Sequence, residues 1–508
     1  MRRWGWGVLA ALLVPAASLQ AQASLDYYVD LHDRADDRFK VVVVTDQLGP
    51  ENAVFQFAST APGTYQLMDI GRFVEDFRAF DGEGNELRTE RISTNQWRIH
   101  DASRVREIRY TIAETWDTPV EEHRVYPMAG TSMEDDHVLL NPHAVFGFPS
   151  GLQDAPIRLH LSYPEDWKLG TALDPDPEGA FVAEDYDELV DSPVLMGRLT
   201  VARTEVSGVP VEIYTYSKSG GVTSKQLLGA MDPMLHAAGD FLGRLPVDRY
   251  TFLYLFEDPG RSQGAWEHSQ SSEYTFVDLR YSERVGRLLT DIAAHEFFHV
   301  VTPLNIHSEI IENFNFITPV PSEHLWLYEG VTEWASDAMQ LRSDLKSPEE
   351  YLRAVLTKMR NDARFDAGYS LSELALSSYT DEGQRQYANI YERGALVAGL
   401  LDIRLLELSD GKRGLQTLMR ELVQRFGKGK PFPEAEFFDV ITEMTYPEIG
   451  DFLARYVRRA EPLPIKEYYA KLGIRLVEDE KGDPTGFEID PKPTERQQRL
   501  REAWLTNH

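Results

Sequence analysis

Near residue 205 the hydrophobic period of this 508-residue chain changes, so one packed layer cannot serve both halves. From Ser24 to about Glu205, apolar and polar residues alternate in short runs such as FKVVVVTD, NAVFQFAS, REIRYTIAE and IRLHLSYP. Turn chemistry separates them, as in FDGEGNEL at Phe80–Leu87. A strand turns successive side chains to opposite faces, so each run can bury one side of a sheet. Several short strands at this spacing predict an all-β, sandwich-like domain over 24–205. Beyond Val206 the strands VEIYTY and YTFLYLF come first. Apolar residues then recur at helical spacing to about residue 475, predicting an α/β start and a mostly helical region after 340. The segment 476–508 reads as a C-terminal extension with a short strand pair and a terminal helix, TERQQRLREAWL.

The first 23 residues have a different logic. Arg2 and Arg3 precede an apolar stretch from Trp4 to Ala17, followed by Ala21-Gln22-Ala23. Charge, short apolar run and small-residue site in that order predict a secretory signal peptide cleaved near Ala23, hence a periplasmic or secreted protein. The apolar run is short for a membrane span, and none is expected in the mature chain. There is no cysteine, which excludes disulfides, thiol catalysis and thiolate metal sites. The formal charge of −30 falls to −32 without Arg2 and Arg3, which argues against nucleic acid and anionic lipid as partners.

The stretch DIAAHEFFHVV (Asp291–Val301) carries the chemistry. Its helix should start near Ser282 and must stop before Pro303. Residues four apart on a helix share a face, so His295 and His299 can meet one Zn²⁺ while Glu296 handles protons beside it. A catalytic zinc needs a third ligand and an open position for water. Glu329 in LWLYEGVTEW, with 29 residues between it and His299, is the candidate, at a helix start behind Leu325-Trp326-Leu327. Glu333, one turn further on, is a candidate to orient a ligand histidine. His307 and His324 lie between the two helices and read as polar loop residues. A third helix, NIYERGALVAGLLDIRLLEL, should stop at Ser409-Asp410-Gly411.

HEFFH followed by LWLYEGVTEW resembles the glycyl aminopeptidase family of zinc metallopeptidases, one of the HExxH-plus-Glu group that includes aminopeptidase N and thermolysin. Three further stretches carry the resemblance. GAWEHSQSS (Gly264–Ser272) is similar to the family's Gly-Gly-Leu-Glu-His segment, YERGALVAGLLD (Tyr391–Asp402) to its Tyr-x-Lys-Gly helix, and Ala61–Leu87 to the Pro-Gly-x-Tyr pattern of its N-terminal domain. The resemblance implies a thermolysin-like zinc peptidase domain over 206–475, with one zinc held by His295, His299 and Glu329. It implies Glu296 as general base, Tyr391 as the catalytic tyrosine, and Gly264, Ala265 and Glu267 as the substrate-binding strand. In that scheme Glu267 pairs with the α-ammonium of a peptide and so fixes cleavage at the first bond. The implied activity is an aminopeptidase for short peptides with small N-terminal residues. A thermolysin-like endopeptidase and a non-catalytic peptide-binding protein are the alternatives.

The chain also departs from the family pattern. VVTPLNIHSE replaces a Trp-Asn after the second histidine, and no C-terminal PDZ domain is expected. Trp266 stands where the family has a smaller apolar residue and is expected to narrow the pocket.

Overall fold

The computed structural model describes residues 24–506 apart from 35, 47 and 259–262, so the leader expected over 1–23 lies outside the described residues. The N-terminal half is β-rich, with its largest sheet of eight strands centred on Leu25–Asp30, Arg38–Val44, Val105–Ala113 and Val74–Asp81. The alternation read from FKVVVV is the reason: Phe39, Val41 and Val43 are buried while Lys40 and Val44 face water. A four-stranded sheet including Val54–Gln56 and Gln96–Ile99 closes the other side, and Phe55, Phe57, Trp97 and Tyr110 interlock between them with ring centroids 5.0 to 6.0 Å apart. A second four-stranded sheet includes His137–Leu140 and Val194–Gly197.

The second domain begins with a five-stranded sheet in the order Thr200–Val206, Val209–Ser217, Tyr250–Glu257, Ser271–Val277, Gly264–His268. The first two strands form a hairpin in which Val206 pairs with Val209 across Ser207-Gly208, both at positive φ (52° and 83°). The division drawn from the sequence between 205 and 206 therefore falls within a hairpin, whose two-residue turn keeps both strands in one sheet. Every residue of Tyr250–Glu257 is buried. Tyr250, Phe252, Tyr254 and Phe256 pack towards the helices, and Leu253 and Leu255 pack on Leu139 and Leu195 of the first domain. The central strands are parallel; Gly264–His268 runs antiparallel at the edge.

Three helical segments frame that edge. The ligand helix, Glu283–Phe298, starts where the Ser282 hydroxyl accepts the Val285 N–H and ends with His299 as its cap, four residues before Pro303. The segment expected to open as an α-helix at Glu329 instead forms a π-helical turn, Trp326–Val331, and becomes an α-helix over Thr332–Arg342. The wider turn interrupts the regular ladder at the position of Glu329, a frequent feature of functional sites. The tyrosine helix, Asn389–Leu408, crosses it closely: a Cβ on Gly330 would stand 2.5 Å from Gly394 Cα. Both residues must be glycine for these backbones to meet.

The segment read as an extension is built into this helical region. Leu500 and Trp504 of the last helix, Glu495–Thr506, are buried, and the Trp504 carbonyl accepts the Arg342 Nε–H at 3.1 Å. Arg342 also pairs with fully buried Asp402 at 2.7 Å. No described helix is long and apolar enough to cross a membrane.

Candidate metal centre

His295 and His299 point to the same side of the ligand helix, their Nε2 atoms 3.2 Å apart. Glu329 Oε2 lies 3.7 Å from His295 Nε2 and 3.6 Å from His299 Nε2. The other ring nitrogen of each histidine is engaged. His295 Nδ1 is 2.7 Å from Glu333 Oε2, and His299 Nδ1 is 3.0 Å from the Thr302 carbonyl oxygen. Both partners accept an Nδ1 proton, which leaves the Nε2 of each ring facing the common point. Lys358 holds the second Glu333 oxygen, fixing the carboxylate that fixes His295.

The electrostatics favour positive charge at this point: against the effect of burial, Glu329 and Glu333 raise the His295 imidazole well above its ordinary value. Burial works to raise the Glu329 carboxyl, but His299 and His295 outweigh it and hold the group below its ordinary range. Burial likewise opposes ionisation of Glu333, yet Lys358 and His295 hold it low. Glu296 is pushed up to about 7 by burial, with His295 opposing and Glu329 adding to the rise. Glu267 is raised well above the carboxylate range by burial and by Glu329 and Glu296. Buried carboxylates facing one another are costly without a positive partner.

A divalent ion fits. The three donor atoms make a triangle of sides 3.2, 3.6 and 3.7 Å, whose corners lie about 2 Å from a common centre, the length of a zinc–nitrogen or zinc–oxygen bond. Two imidazoles and one carboxylate are a donor set zinc favours.

A cavity of about 340 Å³ opens on this centre, reaching Glu267, Ala265 and Tyr391. The Glu267 carboxylate lies within 4.8 Å of ligand atoms of both Glu296 and His299. Gly264–His268 is an edge strand whose one described sheet neighbour is Ser271–Val277, which leaves its other side towards the cavity. The Tyr391 ring stands 5.6 Å from the His295 ring, and its hydroxyl is 3.4 Å from that of Tyr387. His295, Glu296, His299, Glu333, Tyr391, Glu267 and Ala265 thus line one cavity, Glu329 meets His295 and His299 at the same centre, and Gly264 stands beside Ala265 on the edge strand. His307 and His324 remain apart. His307 binds the Pro303 carbonyl at 2.7 Å, and His324 binds the Glu434 carbonyl at 2.8 Å among phenylalanine rings.

Trp266 lines the cavity, as expected, but its indole is anchored in the N-terminal domain. The ring packs in the N-terminal core, edge-on to His143, and donates to the Pro62 carbonyl at 3.1 Å. Its effect on the cavity passes through Gly63, where a Cβ would come within 2.5 Å of Glu267 Oε1 and 2.8 Å of the Trp266 indole nitrogen. Sequence reasoning gave no role to Met128, Lys358 or Tyr387, and marked Gly63 and Tyr65 only as the glycine and tyrosine of the Pro-Gly-x-Tyr pattern. Tyr387 had a signal, its place one turn before Tyr391. The others are brought in from distant segments.

Two family models match this chain: residues 26–198 that of the M61 peptidase N-terminal domain, and residues 289–397 that of the M61 glycyl aminopeptidase. Among solved structures, an aminopeptidase N family protein from Idiomarina loihiensis is similar over 93% of this chain and 82% of its own, with a TM-score of 0.78 at 21% identity. An M1 zinc metallopeptidase from Deinococcus radiodurans is similar over 88% of this chain and 96% of its own, with a TM-score of 0.53 at 13% identity. At these identities the likeness is one of fold. No curated protein matches the chain significantly.

Proposed function

This chain belongs to the M61 glycyl aminopeptidase family of peptidases, and on that premise we propose that it is a zinc-dependent aminopeptidase removing small N-terminal residues, glycine and alanine, from short peptides. The sequence of residues 1–23 supports export, so the substrates are periplasmic or extracellular peptides.

The observation that carries this reading is the separation of Glu267 from the ligand set. Its carboxylate lies within 4.8 Å of ligand atoms of Glu296 and His299. From the nitrogen to the carbonyl oxygen of one residue is roughly 3 Å, so a peptide whose carbonyl reaches the metal centre can have its own ammonium at Glu267 only if it is the first residue. The edge strand can receive the substrate backbone as an added strand. A loop carrying Gly63 packs directly on Glu267, leaving little room for a large first side chain.

The residues divide the work. His295, His299 and Glu329 would hold zinc, which when bound supplies Lewis-acid polarisation of the scissile carbonyl and lowers the pKa of water. Glu296 takes the proton of the attacking water and passes it to the leaving amine. Its elevated proton affinity suits that exchange near neutrality, because an ordinary surface carboxylate would be a weaker base. Tyr391 keeps its proton, since burial and Glu329 raise it, and donates it as a hydrogen bond to the carbonyl oxygen as negative charge develops there. Such a contact is typically worth a few kcal/mol in the transition state. Glu333 and Lys358 keep His295 oriented throughout.

A matched pair of peptides tests the reading. The zinc-loaded protein should release glycine from triglycine and leave N-acetyl-triglycine intact, and a chelator should abolish the reaction. Equal cleavage of both would make the protein an endopeptidase. Stoichiometric zinc with no hydrolysis of any peptide would make it a binding protein.

A further inference from the structure

Tyr65 is unusual in two respects. Its backbone is left-handed, with φ of 46°, a region that bulky L-residues seldom enter. Its ring is 5% exposed within the hydrophobic core of the second domain, although its loop belongs to the first. Strained positions persist only where the surroundings over-determine them.

The surroundings do so here. Ahead of Tyr65, the Pro62 carbonyl accepts the Trp266 indole N–H, Gly63 sits at φ 75°, and the Thr64 hydroxyl donates to the Ala61 carbonyl at 2.7 Å. The Tyr65 carbonyl accepts Gln384 Nε2–H at 2.7 Å from the helix Asp381–Gln386 of the other domain. The same amide donates to the Ser378 carbonyl at 2.6 Å, so its direction is fixed. The loop is therefore tied to the edge strand on one side and to the helical region on the other.

What the loop presents is an aromatic ring. Tyr65 lies 5.5 Å, centroid to centroid, from Tyr387, tilted by 40°. The Tyr387 ring is 5.8 Å from that of Tyr391, with the hydroxyls 3.4 Å apart. Tyr391 in turn stands over His295. Tyr387 precedes the tyrosine helix at Asn389–Leu408 and lies between the Tyr65 and Tyr391 rings. Contact thus runs unbroken from a strained loop of the first domain to the hydroxyl at the metal centre. The proton affinities agree with this placement, since burial and then Glu329 raise the Tyr65 phenol, with Glu267 also contributing.

We infer that Tyr65 is a positioning residue: its ring, held by the N-terminal domain, sets Tyr387 and through it the height of the Tyr391 hydroxyl. The inference rests on the reading of Tyr391 under the proposed function. It gives the N-terminal domain a part in the chemical step beyond shaping the cavity.

A double-mutant cycle on the full, zinc-loaded chain tests it, with glycine p-nitroanilide as the probe. Tyr65→Ala should lower kcat about ten- to a hundredfold, as displacements near 1 Å do, with KM within about twofold of the parent. Tyr65→Phe should restore kcat, because ring packing carries the effect. In a Tyr391→Phe background, Tyr65→Ala should cost nothing further, since residues acting through one another are non-additive. Gln384→Ala alters none of the rings of this chain of contacts and releases the Tyr65 carbonyl, together with the Ser378 carbonyl and the Tyr126 hydroxyl. It should lower kcat in the same direction, and it carries the test if Tyr65→Ala fails to fold or to retain zinc. Multiplying losses in the double variant, a Tyr65→Phe as impaired as Tyr65→Ala, a loss confined to KM, or an unchanged kcat in Gln384→Ala would each overturn the inference. Full activity of Tyr391→Phe would remove the reading beneath it as well; impaired Tyr391→Phe with unaffected Tyr65→Ala removes the inference alone.

Discussion

His295 and His299 are equivalent in the motif and unequal in their support. His299 gives its Nδ1 proton to a backbone carbonyl that no side-chain substitution removes, whereas His295 depends on Glu333 and Lys358. Partners of this kind are typically worth about 10–100-fold in metal affinity. Glu333→Ala should therefore weaken zinc binding by about that factor in a chelator competition. Unchanged zinc affinity and activity would show that Glu333 is a bystander. At this scale legibility followed chemical type. Histidines and carboxylates at ligand spacing announce themselves, so Glu333 could be suspected from its place one turn after Glu329. Lys358 could not, because a lysine on a helix is ordinary until folding brings its partners together; Tyr65 stood out only as the tyrosine of the Pro-Gly-x-Tyr pattern, and its clasp Gln384 is 319 positions away.

The element that sets the site is the crossing of Trp326–Val331 with Asn389–Leu408, which brings Glu329 and Tyr391 together at the metal centre. Gly330 and Gly394 meet there, and a Cβ on Gly394 would lie 2.8 Å from Gly330 Cα. Gly394→Ala should force the backbones apart, costing about 1–3 kcal/mol in denaturant unfolding and lowering kcat. Gly399→Ala, on the same helix, meets nothing closer than 3.6 Å and should be neutral, or stabilising by up to about 1 kcal/mol through helix propensity. Similar stability changes for both would mean that the crossing is not tight. Element ends marked by chemistry were legible: Ser282 caps the ligand helix and Gly411 follows the tyrosine helix. The change of hydrophobic period at 205 lies beside the Ser207-Gly208 hairpin turn, which joins two strands of one sheet. The π-turn leaves no periodic trace, because one extra residue shifts a helical pattern no more than noise does.

At the scale of the whole molecule, two domains share one active centre, and the back of the edge strand is their seam. Trp266 enters the N-terminal core there, and Asp191 accepts the Ser269 N–H at 3.0 Å. His143, edge-on to Trp266, is fully buried, and its pKa is pushed down to about 3 by that burial and by nearby His268. The native state keeps His143 neutral, while the unfolded chain protonates it near pH 6.5. Its contribution is therefore intact above that pH and is lost progressively as pH falls towards 3. His143→Phe lacks this penalty, so its stability relative to the parent should be greater at pH 5 than at pH 8 in denaturant titrations. An unchanged difference would mean that His143 titrates in the fold. Alternating and helical runs foretold the two domains, but not that the first domain's loop would close on Glu267. The most direct test of the account is Glu267→Ala, with kcat/KM measured on triglycine and N-acetyl-triglycine. A lost charge-assisted contact should cost the free peptide about 10–100-fold and erase most of its advantage over the acetylated one. A variant that still discriminates against the acetylated peptide as the parent does would contradict the assignment of Glu267 as the anchor of the amino terminus.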